Sequence, residues 1–260
     1  MGTYVVGDIH GCFTEWLYLK SMIEAEDTDA IFIFVGDIVD RGTEVIDMIR
    51  WAMNNITPNG KYQMVIGNHE LEKIAWIEDY LKAKDIADQD NKDFTLQDMY
   101  YDRYNFLESL RSANIDDKEL IKIYRFLKKL PYTKDITVNN QRFIIVHANL
   151  PYSAVNKENN TIKNKLDSSC KEFIVWDRTV GEFNKIPNTI LIHGHTPTLF
   201  MEAFEIYDYC PEEEGKIYKV YNTINVDCGI AYKKYNDKAQ LAAIRLDDFK
   251  EFYVKDCSKQ

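Results

Sequence analysis

"GDIHGCFTEW", residues 7–16, crowds an aspartate, a histidine and two glycines into one turn near the first residue of the chain. The preceding "TYVV" (3–6) is a short apolar, β-branched run and reads as a buried strand. Asp8 and His10 leave that strand one residue apart, and Gly7 and Gly11 permit a tight backbone path. Taken alone, the pair reads as a strand-to-helix turn in which Asp8 caps a helix starting near Phe13. The rest of the chain decides otherwise.

Working outward, apolar runs alternate with helical periodicity. Strand 3–6 is followed by a helix over about 13–26, a strand over 30–35, a helix over about 43–54, a strand over 61–66 and a helix from about 70. Val45, Ile49 and Ala52/Met53 carry the helical spacing of the second helix. Such alternation predicts a layered α/β fold with functional loops at the carboxyl ends of the strands. From about 82 to 130 the pattern is helical and highly charged, with Leu120, Tyr124, Leu127 and Leu130 as one apolar stripe ended by Pro131. It reads as a helical insertion. "RFIIVHANL" (142–150) and "NTILIHGHT" (188–196) restore buried strands, and "KIYKVYNTINVDCG" (216–229), "QLAAIRL" (240–246) and "EFYVK" (251–255) are β-rich. With no internal repeat and no linker, one domain over 1–260 is expected.

Of the 260 residues 45% are apolar and 13% aromatic, enough for a substantial core. The longest apolar run, "AIFIFV" (30–35), is too short to span a bilayer, and no targeting segment is expected. Five scattered cysteines without a C-x-x-C pair read as reduced thiols, so a cytoplasmic setting is expected. Cys12 reads as inert packing or as a redox-sensitive thiol. A net charge of −10 without a basic cluster argues against nucleic acid as a partner. An anionic substrate must then be met locally, by metal ions and a few arginines.

The loops after the strands share one chemistry. "GDIHG" (7–11), "GDIVDRG" (36–42), "GNHE" (67–70), "HAN" (147–149) and "HGHT" (193–196) hold all five histidines of the chain. They offer carboxylate, amide oxygen and imidazole but no thiolate. That set suits manganese, iron or zinc in a catalytic setting, with ligands enough for two ions.

These motifs resemble the phosphoprotein phosphatase family of calcineurin-like metallophosphoesterases. Its pattern G-D-x-H-G, G-D-x-x-D-R-G, G-N-H-E is matched unbroken by residues 7–11, 36–42 and 67–70. The resemblance covers roughly 3–230 and implies a two-sheet α/β sandwich with helices outside. It also implies that Asp8 and His10 bind a first metal, that Asp37 bridges both, and that Asn68, His147 and His195 complete the second site. Two cations about 3.5–4 Å apart would acidify a water between them, and the resulting hydroxide would attack phosphorus directly. Arg41, and Arg178 in "VWDR" (175–178), would hold phosphate oxygens as forks. His69 would be the general acid and Asp40 would fix its tautomer. Manganese is the expected activator, with iron or zinc as alternatives.

Each assignment has a plainer counterpart. Asp40 reads as structural, Arg178 as half of a surface ion pair, and His193 as a ligand or as a hydrogen-bonding neighbour of the ligands. Asp227 and Cys228 close a strand near the site and read as packing or as neighbours of the ligands, and Trp16 and Trp76 read as core. Two residues depart from the family. Ile66 precedes "GNHE" where the eukaryotic protein phosphatases have arginine, and Asn149 stands where glycine is common. The favoured function is a serine/threonine protein phosphatase, supported by His10, Glu70 and Thr196. The alternatives are a symmetrical bis(5'-nucleosyl)-tetraphosphatase, acting on diadenosine tetraphosphate, and a non-catalytic binding module. Oligomeric state is not legible. Tyr100, Tyr101 and Tyr104 of the insertion read as choosing the substrate beneath a lid, or as core.

Overall fold

The computed structural model describes residues 1–90, 92–99, 104–156, 158–178, 186–204 and 214–257. Tyr100, Tyr101 and Cys210 lie outside the described residues. The first half builds β1 (Thr3–Val6), α1 (Phe13–Glu26), β2 (Ile31–Phe34), α2 (Val45–Asn55), β3 (Tyr62–Met64) and α3 (Asn68–Gln89). Then follow α4 (Phe106–Ser112), α5 (Asp117–Leu127), β4 (Lys134–Val138), β5 (Gln141–Ile145), α6 (Ser168–Trp176) and β6 (Thr189–His193). A hairpin of β7 (Tyr218–Val220) and β8 (Thr223–Asn225) and a second of β9 (Leu241–Arg245) and β10 (Glu251–Val254) complete the elements.

The strands form two five-stranded mixed sheets, ordered β10-β9-β1-β2-β3 and β4-β5-β6-β8-β7. In each, three neighbouring strands run parallel: β1, β2 and β3 in the first, β5, β6 and β8 in the second. Parallel strands are covered on both faces, which is why they read as unbroken apolar runs. Val5 and Ile33 face the other sheet and meet Phe143, Ile145 and Ile192. The alternate residues Tyr4, Val6, Phe32 and Phe34 face the helices and pack with Trp16, Leu19 and Ile49. The expected two-sheet sandwich with outer helices is the observed one. Trp16 is fully buried, its ring 4.8 Å from that of Phe34, whereas Trp76 is half-buried against this core.

Three boundaries differ from the expectation. α3 runs to Gln89, so residues 82–89 continue the helix of the third motif and the insertion proper begins later. α5 ends at Leu127, four residues before Pro131, and Ile123 is fully buried where Tyr124 was expected. The run 216–229 breaks at Tyr221, whose φ of 51° turns the chain between β7 and β8. Strand β4 went unforeseen because "KDITV" sits on a sheet edge and lacks a fully buried face. Phe106, Leu110, Leu120 and Leu127 are buried in the same core as the helices of the first half, so α4 and α5 are a wall and not a lid.

Candidate active site

The three parallel strands of each sheet send their carboxyl ends to one edge, and the motif loops meet there. The backbone bends hard to do so. His10, Asp37, Asp40, Arg41 and His195 all have φ between 47° and 68°, the left-handed region that costs a side chain about 1 kcal/mol or more. Close approach fixes two glycines. A Cβ on Gly67 would fall 2.1 Å from Asp37 Oδ1, and one on Gly194 would fall 2.1 Å from Asp8 Oδ1. Glu70, in the first turn of α3, braces the second loop from behind. Its carboxylate accepts N–H bonds from Asp37 (2.8 Å), Ile38 (2.9 Å) and Gly67 (2.9 Å).

Asp37 is the hub. Its Oδ2 lies 3.6 Å from His10 Nε2, 3.4 Å from His147 Nε2 and 3.8 Å from His69 Nε2. Asn68 Oδ1 stands 2.8 Å from His147 Nε2 and 2.9 Å from His195 Nδ1. The other ring nitrogens of His10 and His147 sit 2.9 Å from the carbonyls of Val39 and Val35, an arrangement that aims Nε2 inward. Asp8 does not cap α1. Its Oδ2 accepts from the His195 N–H at 3.1 Å, bringing the first and fifth motifs together. All six expected ligands are therefore within one buried cluster. Two triplets that meet at Asp37, His10–Asp37–His69 and Asp37–His147–His195, have the spacing to hold a cation, and so does a third beside them, Asp40–His69–Glu72. Asp8 stands outside all three.

The electrostatics call for cations. Burial, with Asp227 and Asp37 beside it, pushes the Asp8 carboxyl well above the usual range. Burial pushes Asp37 up as well, but His147, His69 and His10 around it hold it well below the usual carboxylate range. Burial depresses His10 strongly and takes His195 down to about 2, so both rings are neutral and free to coordinate. Asp8 Oδ1 and His195 Nε2 are buried without a hydrogen-bond partner. Orphaned oxygen and nitrogen donors around a shared carboxylate fit divalent ions of the manganese, iron or zinc type.

Beside the hub, His69 Nδ1 lies 2.6 Å from Asp40 Oδ2, and its Nε2 is 3.4 Å from Arg41 Nη2. Asp40 is wholly buried and its second oxygen has no partner. Arg41 Nη1 donates to the Tyr232 hydroxyl at 2.6 Å, and its guanidinium lies between the rings of Tyr104 and Tyr232. Arg178 Nη1 donates to the His195 carbonyl at 3.1 Å and to Thr196 Oγ1 at 3.2 Å. Both arginines line one cavity of about 320 Å³ with Tyr104, Trp176, Phe200 and Tyr232. Arg178 thus faces the site.

Of the two readings open for Asp227, the one beside the ligands is favoured over packing, because it lines the same cavity and its carboxyl is pushed up by burial. It follows β8, the sixth parallel strand, which was not separable from β7 in the sequence. His193 is buried with Nδ1 3.1 Å from the Gly194 carbonyl and belongs to none of the triplets. Asn149 donates to Asp177 at 2.7 Å and so fastens the segment that carries Arg178. Cys12 is 2% exposed, and burial pushes its thiol up to about 12, which supports the packing reading. Tyr104, one of the tyrosines expected to choose the substrate, lines this cavity, whereas Trp176, Phe200 and Tyr232 carry no sequence signal, since aromatic residues are common and only the fold gathers them.

Comparison with known proteins agrees with this geometry. A symmetrical bis(5'-nucleosyl)-tetraphosphatase of Methylobacillus flagellatus is 34% identical over 113 residues, 43% of this chain and 37% of that one. The chain thus matches little more than a third of that relative's length. Among solved structures, a putative diadenosine tetraphosphatase aligns with TM-score 0.56 at 16% identity, covering 98% of this chain and 93% of that one. A protein serine/threonine phosphatase from Saccharomyces cerevisiae aligns with TM-score 0.51 at 13% identity, covering 98% and 79%. At these identities the two structures speak to the fold alone. The family model for calcineurin-like phosphoesterases matches residues 1–225. The chain belongs to the calcineurin-like phosphoesterases, metal-dependent hydrolases of phosphoesters.

Proposed function

We propose that the protein hydrolyses dinucleoside polyphosphates, of which diadenosine tetraphosphate is the type, to two nucleoside diphosphates. The observation that carries this reading is the cavity, where two arginines face a rim of Tyr104, Trp176, Phe200 and Tyr232. Guanidinium forks suit a polyphosphate, and aromatic faces suit the bases at its ends. The tetraphosphatase named among its relatives supports the same choice. The protein phosphatase reading rests on His10, Glu70 and Thr196, and of these Glu70 meets backbone N–H groups behind the loop with its carboxylate. It does not line the cavity and so does not select a substrate.

Asp8, His10 and Asp37 would hold one divalent cation, and Asp37, Asn68, His147 and His195 a second, with manganese the first to test. When bound, the pair supplies charge neutralisation and an acidified water. The chain's own residues do the rest. Arg41 and Arg178 hold the phosphate oxygens and set the line of attack. His69 gives a proton from Nε2 to the bridging oxygen as its bond to phosphorus breaks. Asp40 holds Nδ1 and keeps the ring aimed.

The test is a manganese-reconstituted assay with diadenosine tetraphosphate, a phosphoserine peptide and p-nitrophenyl phosphate, with products resolved by anion exchange. ADP as the sole nucleotide product, formed faster than phosphate from the peptide, supports the reading. Turnover of the peptide without the dinucleotide defeats it and restores the protein phosphatase.

A further inference from the structure

Lys73 lies one turn of α3 beyond His69, on the same helix face, and its side chain is 3% exposed. Its Nζ stands 3.0 Å from Asp40 Oδ2, the same oxygen that lies 2.6 Å from His69 Nδ1. The ammonium also sits over the rings of Tyr104 and Phe106, 5.4 and 5.5 Å from their centroids. Burying an ammonium is costly before its partners compensate, and an apolar side chain of equal length would fill the space without that penalty. The pair is a poor device for stabilising a core. Its position beside the acid asks for another role.

We propose that Lys73 is a positioning residue for proton transfer: it pins Asp40 Oδ2 as an acceptor and thereby fixes one proton of His69 on Nδ1. The transferable proton then sits on Nε2, the ring atom near Arg41 and Asp37. An ammonium has three donors and no acceptor, so an oxygen shared with it can only accept from the imidazole. Asp40 Oδ1 has no partner, so the whole pairing falls on Oδ2. Without Lys73, nothing pins Asp40 Oδ2 in place as the acceptor, and the proton on His69 Nδ1 is no longer fixed there. The sequence held this in plain view, as His69 and Lys73 four apart on one helix, but the partner oxygen comes from another loop.

The proposal rests on His69 as the acid, and the test separates the two. In zinc-loaded protein with nitrogen-15 histidine, long-range proton–nitrogen spectra read which ring nitrogen of His69 carries the proton, with His69→Asn assigning the signal. Wild type and Lys73→Arg should show a protonated Nδ1, and Lys73→Met should lose that signature. In manganese-loaded enzyme, Lys73→Met should lower kcat on phosphoserine peptide about tenfold more than on p-nitrophenyl phosphate, with KM unchanged and Lys73→Arg restoring the ratio. If Lys73→Met fails to fold, Lys73→Gln is read in the same way. An unchanged Nδ1 signature overturns the proposal whatever the rates do. If His69→Asn itself shows no bias between the substrates, the acid role falls, while the spectra still decide the part played by Lys73.

Discussion

Arg41 and Tyr232 are 191 residues apart in the chain and 2.6 Å apart in space, guanidinium Nη1 to phenol oxygen. The turn that carries Tyr232 is itself tied down, because Lys233 pairs with the buried Glu15 of α1 at 2.6 Å. A phosphate fork is thus held in place by a residue from the opposite end of the sequence.

Removing that hold should weaken substrate binding more than chemistry. A hydrogen bond to a charged group is worth about 1.5–3 kcal/mol at most, less here because phosphate competes for the same donor. Tyr232→Phe is expected to raise KM several-fold with a smaller fall in kcat. Arg41→Lys, which loses the fork, should do worse on both. Steady-state kinetics on one substrate decides, and an unchanged KM in Tyr232→Phe would show that the hydroxyl does not order Arg41 for binding.

His69 should contribute about 10²–10⁴-fold where the leaving group is a poor one. His69→Asn is expected to keep two metals and a similar KM, to lose kcat heavily on phosphoserine peptide and least on p-nitrophenyl phosphate. Asp40→Asn should follow the same order more mildly. His69 also belongs to one of the two triplets that meet at Asp37 and to a third with Asp40 and Glu72, so elemental analysis of the variant is essential. Loss of a metal would make it a ligand.

Asp37 is common to both triplets, and its replacement should disturb both sites at once. Chelation should abolish activity and added manganese should restore it. Ligand binding at a hundred times Kd adds about 2.7 kcal/mol of stability, so manganese should raise Tm by several degrees. Asp37→Asn should lose most of that rise, and more than Asp8→Asn or His10→Asn. Differential scanning fluorimetry with and without manganese measures this directly, and equal rises in all variants would remove Asp37 from its bridging place.

Glu70 accepts three strong backbone bonds and a longer one of 3.4 Å from Val39. Glu70→Gln, which cannot accept with both ends, should lower Tm and manganese affinity together. Glu70→Asp should lower Tm less and leave the ratio of dinucleotide to phosphopeptide turnover unchanged. A shifted ratio would mean that this position selects substrate after all.

Much of this protein was open to reading one residue at a time. The runs 3–6, 30–35 and 62–66 are largely buried on both faces, so they announce strands without any knowledge of their partners. The motif loops carry their chemistry as residue type and short spacing, and the family that they resemble implies the six ligands and the His69–Asp40 pair. Each of those signals is local, and local signals survive in a string.

What the string withheld depends on long-range geometry. Asp227 joins the site only because β8 runs parallel to β6 in the second sheet, a pairing between residues 191–193 and 223–225. Lys73 looks like any helical lysine until Asp40, from another loop, is placed beside it at 3.0 Å. The left-handed backbone of His10, Asp37, Asp40, Arg41 and His195 is likewise tertiary, because even aspartate and histidine, which tolerate it better than most side chains, adopt it in only a small minority of cases. It persists because buried bonds such as those from Glu70 hold the loops against their own propensity. Sequence set which side chains stand at the edge of the sheets; the packing of two sheets against each other decided which of them touch.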